Sequence, residues 1–200
     1  MSKREIEIRK HLKRNGDFWP NNYIYGSKEI LFPSTKVLNE YCGLLDKKCG
    51  ENTIHKFIVE NPSLLAYMMH GGKGNWLFSK PKFGCEYIPD FIMCTQDSAG
   101  FHWALIELES PNKKVLRNNG QQTSYVSNAI KQINEWRIWL RKNISYAHYQ
   151  LEFFDIDAEC PALIVMGRRK YITPKLKDYY RELSNGDLKI MSYDRLSFRK

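Results

Sequence analysis

Three acidic residues carry the first chemistry this sequence offers. In WALIELESP, Glu107 and Glu109 stand two residues apart, and in IPDFIM, Asp90 follows a proline within an otherwise apolar run. Residues two apart on a strand point to the same side, so Glu107 and Glu109 share a side with Leu105. If the segments 85–94 and 101–109 pair as a hairpin, Asp90 and Glu107 lie near each other on one face of the sheet. Carboxylates brought within about 5 Å repel by roughly 3 kcal/mol per pair at an effective dielectric near 20. A divalent cation removes that cost. Hard oxygen donors suit Mg²⁺ or Mn²⁺, which take one or two carboxylates, some waters and substrate phosphate oxygens. The alternative is that Glu107 and Glu109 mark the solvated end of a strand, or pair with Lys113 and Lys114.

The elements that must position these acids follow from periodicity. A strand over 102–109 and a strand over 85–94 flank a short turn, and a further strand is expected at 76–79, so an antiparallel meander is predicted. Asp90 within the 85–94 run needs explaining, because Asp and Pro are both depleted in strands. Before the meander, ENTIHKFIVENPSLLAYMM has apolar residues at helical spacing with a break at Asn61-Pro62, which predicts two linked helices. After it, 123–143 is the clearest helix, with Val126, Ala129, Ile130, Ile133, Trp136 and Leu140 on one stripe. Trp136 and Trp139 are therefore read as core rather than as a base-stacking platform. Then come an apolar strand at 162–167, a helix at 174–184 closed by Asn185-Gly186, and a last strand at 188–193. The order of helices and strands predicts an α/β fold, a mixed sheet with helices on its faces. Residues 1–45 are read as an N-terminal extension holding a basic helix at 3–14, an aromatic loop around FWPNNYIYG and a helix near 35–47, and residues 46–200 as the functional domain.

Composition narrows the classes of partner. The chain has 200 residues, 42% of them hydrophobic, with a formal charge of +9. That is enough to bury one core, and the basic excess favours polyanions, nucleic acid first. No stretch approaches the roughly 18 apolar residues of a spanning helix, and the charged start has no apolar leader core, so a soluble, cytoplasmic protein without a membrane partner is expected. Five cysteines form an odd set without a C-x-x-C pair, against a disulfide framework or a structural zinc site. Basic clusters at Arg168, Arg169 and Lys170, and at Lys113, Lys114 and Arg117, are candidate phosphate contacts. No Gly-rich phosphate loop and no nucleophile elbow is found.

At the residues IPDF and ELE the chain resembles the PD-(D/E)XK nuclease signature. A longer frame, ENTIHKFIVENPSLL, PDF, WALIELESP, AIKQINEWRIWL, ALIVMGRR and MSYDRL, resembles the nuclease domain of Shedu anti-phage defence proteins over about 46–200. The resemblance implies a restriction-endonuclease-like central mixed sheet flanked by helices, Mg²⁺- or Mn²⁺-dependent cleavage of DNA, and homo-oligomers. It implies that Asp90, Glu107 and the main-chain carbonyl of Leu108 hold the metal, and that Glu51 is the acid of the preceding helix. Helical geometry favours Glu51 over Glu60, because Glu51 lies closer to the Ile54 and Ile58 stripe. Glu109 departs from the pattern, which has lysine there; a second glutamate at that position acts as ligand or as general base for a metal-bound water. Gln132, flanking the stripe of the long helix and half-buried beside the sheet, would orient the attacking water. Against the nuclease stand a non-catalytic DNA-binding or assembly module that keeps the fold, and a small-molecule α/β enzyme. His55, one turn after Glu51, reads as a polar boundary residue.

Overall fold

The computed structural model describes residues 17–19, 33–66, 68, 75–184 and 186–197. The basic helix expected at 3–14, the aromatic loop beyond Trp19 and the glycine-rich loop at 70–74 lie outside the described residues.

The first helix, α1 (Thr35–Asp46), starts where Ser34 accepts a hydrogen bond from Val37 N at 3.3 Å, an N-cap that satisfies one of the helix's orphan donors. Helix α2 (Glu51–Glu60) puts Glu51 at its first position, where the positive end of the helix dipole favours a carboxylate. It ends at Asn61 because Pro62 follows, and the chain turns directly into the one-turn helix α3 (Ser63–Ala66). The strands are β1 (Asp17–Trp19), β2 (Asn75–Ser79), β3 (Phe91–Gln96), β4 (Phe101–Leu108), β5 (Ala162–Val165) and β6 (Leu188–Met191), hydrogen-bonded in that order into one sheet among the described residues. From β2 to β4 neighbours run antiparallel, as the short turns predict; β1, whose Phe18 and Trp19 belong to the expected aromatic loop, also pairs antiparallel with β2, and β4, β5 and β6 run parallel. Parallel neighbours need crossovers. Helices α4 (Ser124–Lys142) and α5 (Ile144–Tyr149) supply one, and two 3₁₀ turns with α6 (Lys177–Glu182) supply the other.

Side chains alternate across the sheet, and each face buries its own core. Ile92, Trp103, Leu105 and Ile164 pack with Val126, Ala129, Ile133 and Trp136 of α4. Phe91, Met93, Ile106 and Leu108 pack on the other face with Tyr41 and Leu45 of α1 and Ile54 and Ile58 of α2. Trp136 and Trp139 are core residues, the latter stacked on Phe83 at 4.8 Å. The described part of the N-terminal segment joins this body: β1 pairs with β2, and α1 belongs to the second core. The five cysteines are free thiols. Among the described residues no helix is long and apolar enough to cross a membrane.

Several boundaries differ from expectation. The strand predicted over 85–94 begins only at Phe91; residues 83–87 form a tight turn closed by a Phe83–Tyr87 bridge, and Pro89 has no N–H for a ladder. Asp90 therefore stands in the bend ahead of β3. Strand β5 stops at Val165, because Gly167 has φ +67° and lies so close to Lys113 that a Cβ there would meet its carbonyl oxygen at 2.5 Å. The helix predicted over 174–184 is a 3₁₀ turn at Pro174–Leu176 followed by α6, and the last strand ends at Met191 before a 3₁₀ turn, Tyr193–Ser197.

Candidate active site

Strand register brings the predicted acids together. The β3–β4 ladder pairs Phe91 with Ile106, so one further step sets Asp90 opposite Glu107. Glu107 belongs to the alternation of β4 that carries Leu105, and Asp90, in the bend just before β3, turns its side chain toward the β4 backbone. Asp90 is fixed there by backbone contacts: its Oδ2 accepts from Leu108 N at 3.0 Å, and its carbonyl accepts from Lys80 N at 2.9 Å. His55 of α2 stacks on Phe91 with ring centroids 4.4 Å apart and holds Nε2 3.4 Å from the Asp90 carbonyl oxygen and 3.9 Å from Oδ1. Expected as a polar boundary residue, His55 is a buried support for Asp90. Glu109 follows β4, its N–H bonded to Val165 O at 2.9 Å.

Electrostatics shows that four carboxylates feel one another. Glu107 is 6% exposed. Burial, then the charges of Asp90, Glu109 and Glu51, push its pKa up to about 9. Glu51 rises to about 7 through burial, Asp90 and Glu109, against the pull of Lys80. Asp90 and Glu109 are also raised, chiefly by burial; the hydrogen bond from Leu108 N works against this at Asp90, and the bond from Ser110 N at Glu109. Like charges in a half-dry site disfavour ionisation in this way. Tyr193 is fully buried nearby, its backbone carbonyl held by the Tyr41 hydroxyl at 3.0 Å. Among the described residues its own hydroxyl has no hydrogen-bond partner, and it lies in the field of Glu51, Asp90 and Glu109. Among the described residues no three His, Cys, Asp or Glu side chains form a metal cage on their own. The cluster offers instead two facing carboxylates with further acids around them.

Two predicted site residues differ from expectation in their surroundings. Gln132, expected half-buried beside the sheet, is exposed on α4. Arg168, expected to reach phosphate, is 8% exposed and taken up within the fold. Its Nε donates to both Asp194 oxygens at 2.9 and 3.0 Å, Nη1 to the Leu45 carbonyl at 2.7 Å and Nη2 to Asp46 at 3.3 Å. It ties α1 to the C-terminal turn and has no free fork for a ligand. Lys114 and Arg169 are exposed, and Lys113 is half-buried over the Tyr125 ring at 4.5 Å. Lys113 and Lys114 follow the acids on the loop after β4, and the Lys113 charge works against the rise at Glu109. Sequence reasoning missed Lys80 and Tyr193. Lys80 sits in no motif, and Tyr193 stands in the MSYDRL stretch without a chemical role of its own there; only strand pairing brings Lys80 to Asp90, and only folding brings Tyr193 near the acids.

Among curated proteins none matches the chain significantly. The family model described as Shedu protein SduA, C-terminal, matches residues 48–197, about three quarters of the chain and every acid of the cluster. By that match the chain belongs to the Shedu protein SduA family.

Proposed function

We propose that this protein is a metal-dependent DNA endonuclease of the PD-(D/E)XK kind, acting in anti-phage defence, with Asp90 and Glu107 as its metal ligands. The observation that carries the reading is the facing pair itself. Asp90, half-buried, and Glu107, buried, stand at the end of two adjacent strands, with Asp90, Glu109 and Glu51 close enough to raise the pKa of Glu107. Such an arrangement costs stability unless a cation enters it, and a protein keeps strain of that sort where it serves function.

The donor set fits Mg²⁺ or Mn²⁺. A Mg²⁺ ion needs only one or two carboxylates and leaves its other positions to water and phosphate, so the lack of a three-residue cage is no obstacle. Asp90, Glu107 and the Leu108 carbonyl would hold it, and the unpartnered Tyr193 hydroxyl suits an ordered water beneath it. When bound, the ion supplies a neutralising charge for the phosphate and a more acidic water. The chain's own residues do the rest. His55 and Leu108 N keep Asp90 in place. Glu109, raised by burial, is the group to take the proton from the attacking water. Glu51 supports the site through water, and Lys113, Lys114 and Arg169 flank it as phosphate contacts. Homo-oligomers, implied by the family, belong to the same proposal.

A second reading is favoured by Glu109, an acid at the position where the nuclease signature has lysine: a DNA-binding module that has lost turnover. Plasmid incubated with Mg²⁺ or Mn²⁺ separates the two. The nuclease reading expects nicking that Asp90→Asn and Glu107→Gln abolish. Nicking that survives both changes removes the assigned site, and DNA binding without metal-dependent nicking selects the second reading.

A further inference from the structure

We propose that Lys80, contributed by the strand on the far side of Asp90, is a catalytic residue whose ammonium contacts the phosphate being cut; the inference rests on the nuclease reading. The β2–β3 ladder ends with Ser79 opposite Phe91, and the bond from Lys80 N to the Asp90 carbonyl, 2.9 Å, carries it one step further. Lys80, Asp90 and Glu107 thus stand side by side across three adjacent strand ends. Neighbouring strands are about 4.8 Å apart, so the four-carbon stem of Lys80 can span from its own strand to the gap between the two acids.

Charge and exposure agree with that placement. The Lys80 ammonium works against the raised pKa of both Glu51 and Asp90, so its charge is felt on the α2 side of the cluster and on the strand side. The residue is exposed, and among the described residues it enters no direct ion pair, which leaves the ammonium open to a ligand. Its backbone lies in the left-handed region at φ +49°. Outside glycine that conformation is uncommon and is kept where surrounding structure enforces it; here the Asp90 bond holds it, against the extended backbone that the following Pro81 favours. Lys113, the other lysine whose charge reaches the acids, is held over Tyr125. A phosphate entering four clustered carboxylates needs a positive group besides the metal to offset the charge that builds up in the transition state. Among the described residues, Lys80 is the one cation placed in the same register row as the two ligands.

The test uses the full chain, a supercoiled plasmid at saturating protein, and Mn²⁺ titration without DNA. Lys80→Met is expected to slow single-turnover nicking about 100-fold, the usual scale for one lost transition-state contact, with Lys80→Arg recovering part of the rate. The same Lys80→Met protein is expected to bind Mn²⁺ more tightly, because a neighbouring positive charge has gone; a lysine with only a structural role would move neither in this direction. Nicking that depends on Asp90 but stays within threefold of wild type in Lys80→Met overturns the role of Lys80 alone, as does an unchanged or weaker Mn²⁺ affinity. Absence of any Asp90-dependent nicking by the wild type overturns the nuclease reading and this role with it.

Discussion

Replacing Glu107 by Gln should make the metal-free protein more stable at neutral pH. Burial among the other acids pushes the Glu107 pKa up to about 9 in the folded chain, against 4.5 for a free glutamate. Between those values the folded state binds a proton that the unfolded state has released, so stability falls as pH rises, by up to about 1.4 kcal/mol per pH unit. At pH 7.5 the accumulated penalty is about 4 kcal/mol. Gln has the same shape, carries no charge to desolvate and has nothing to lose on ionisation. Urea unfolding in EDTA from pH 5 to 9 should therefore show Glu107→Gln more stable by about 2–4 kcal/mol at pH 7.5, the lower end allowing for denatured-state structure. The wild-type decline should flatten in the variant, leaving a residual slope mainly below pH 7, where Glu51 titrates. With Mg²⁺ the gap narrows. An ion that binds only the folded wild type adds about 2.7 kcal/mol at a hundred times its Kd, and the variant should gain little of it. A Glu107→Gln protein no more stable than wild type in EDTA, with the pH slope intact, would refute the idea that this carboxyl is buried among other acids.

Other substitutions probe the supporting structure. Arg168→Met should destabilise the fold by about 3 kcal/mol in chemical denaturation, since it strands Asp194 and the Leu45 carbonyl, and DNA affinity of the still-folded fraction should not change. Gly167→Ala forces a side chain into a left-handed position 2.5 Å from the Lys113 carbonyl; a loss of about 2–3 kcal/mol in the same assay is expected, and a neutral result would mean that the loop after Glu109 readily moves away. Gln132→Ala should leave both nicking rate and stability near wild type, the latter within about 0.5 kcal/mol, because the side chain is exposed.

How far the sequence was legible depends on whether a feature is local. The α4 stripe and the β2–β3–β4 meander follow from periodicities of 3.6 and 2, and both are present. Gln132 shows the limit of the first periodicity. Seven residues along a helix return to within about 20° of the same direction, so Gln132 and Trp139 point nearly alike, yet Trp139 is buried and Gln132 is not. The difference lies in what covers each level: Phe83, Gly84 and Tyr146 close over Trp139, and no periodicity within α4 encodes their arrival. Arg168 is a second case. In the run GRRK it reads as surface charge, but its partners Asp46 and Asp194 stand 122 and 26 residues away and arrive only with the folded chain.

The acids fall between these cases. Their residue types and two-residue spacing mark β4 from the sequence alone, but whether Asp90 meets Glu107 is decided by register. Because strand side chains alternate, a slip of one residue between β3 and β4 would turn one of the two acids to the opposite face. The slip is prevented by apolar pairing rather than by the acids. Ile92 with Leu105 and Phe91 with Ile106 each fit only their own core, and the wrong register would expose all four. The same constraint sets Ser79 against Phe91 and so brings Lys80 beside Asp90. Burial of hydrophobic side chains two residues below the strand ends thus supplies the energy that holds repelling carboxylates face to face, which is why the cluster can persist without an attraction of its own.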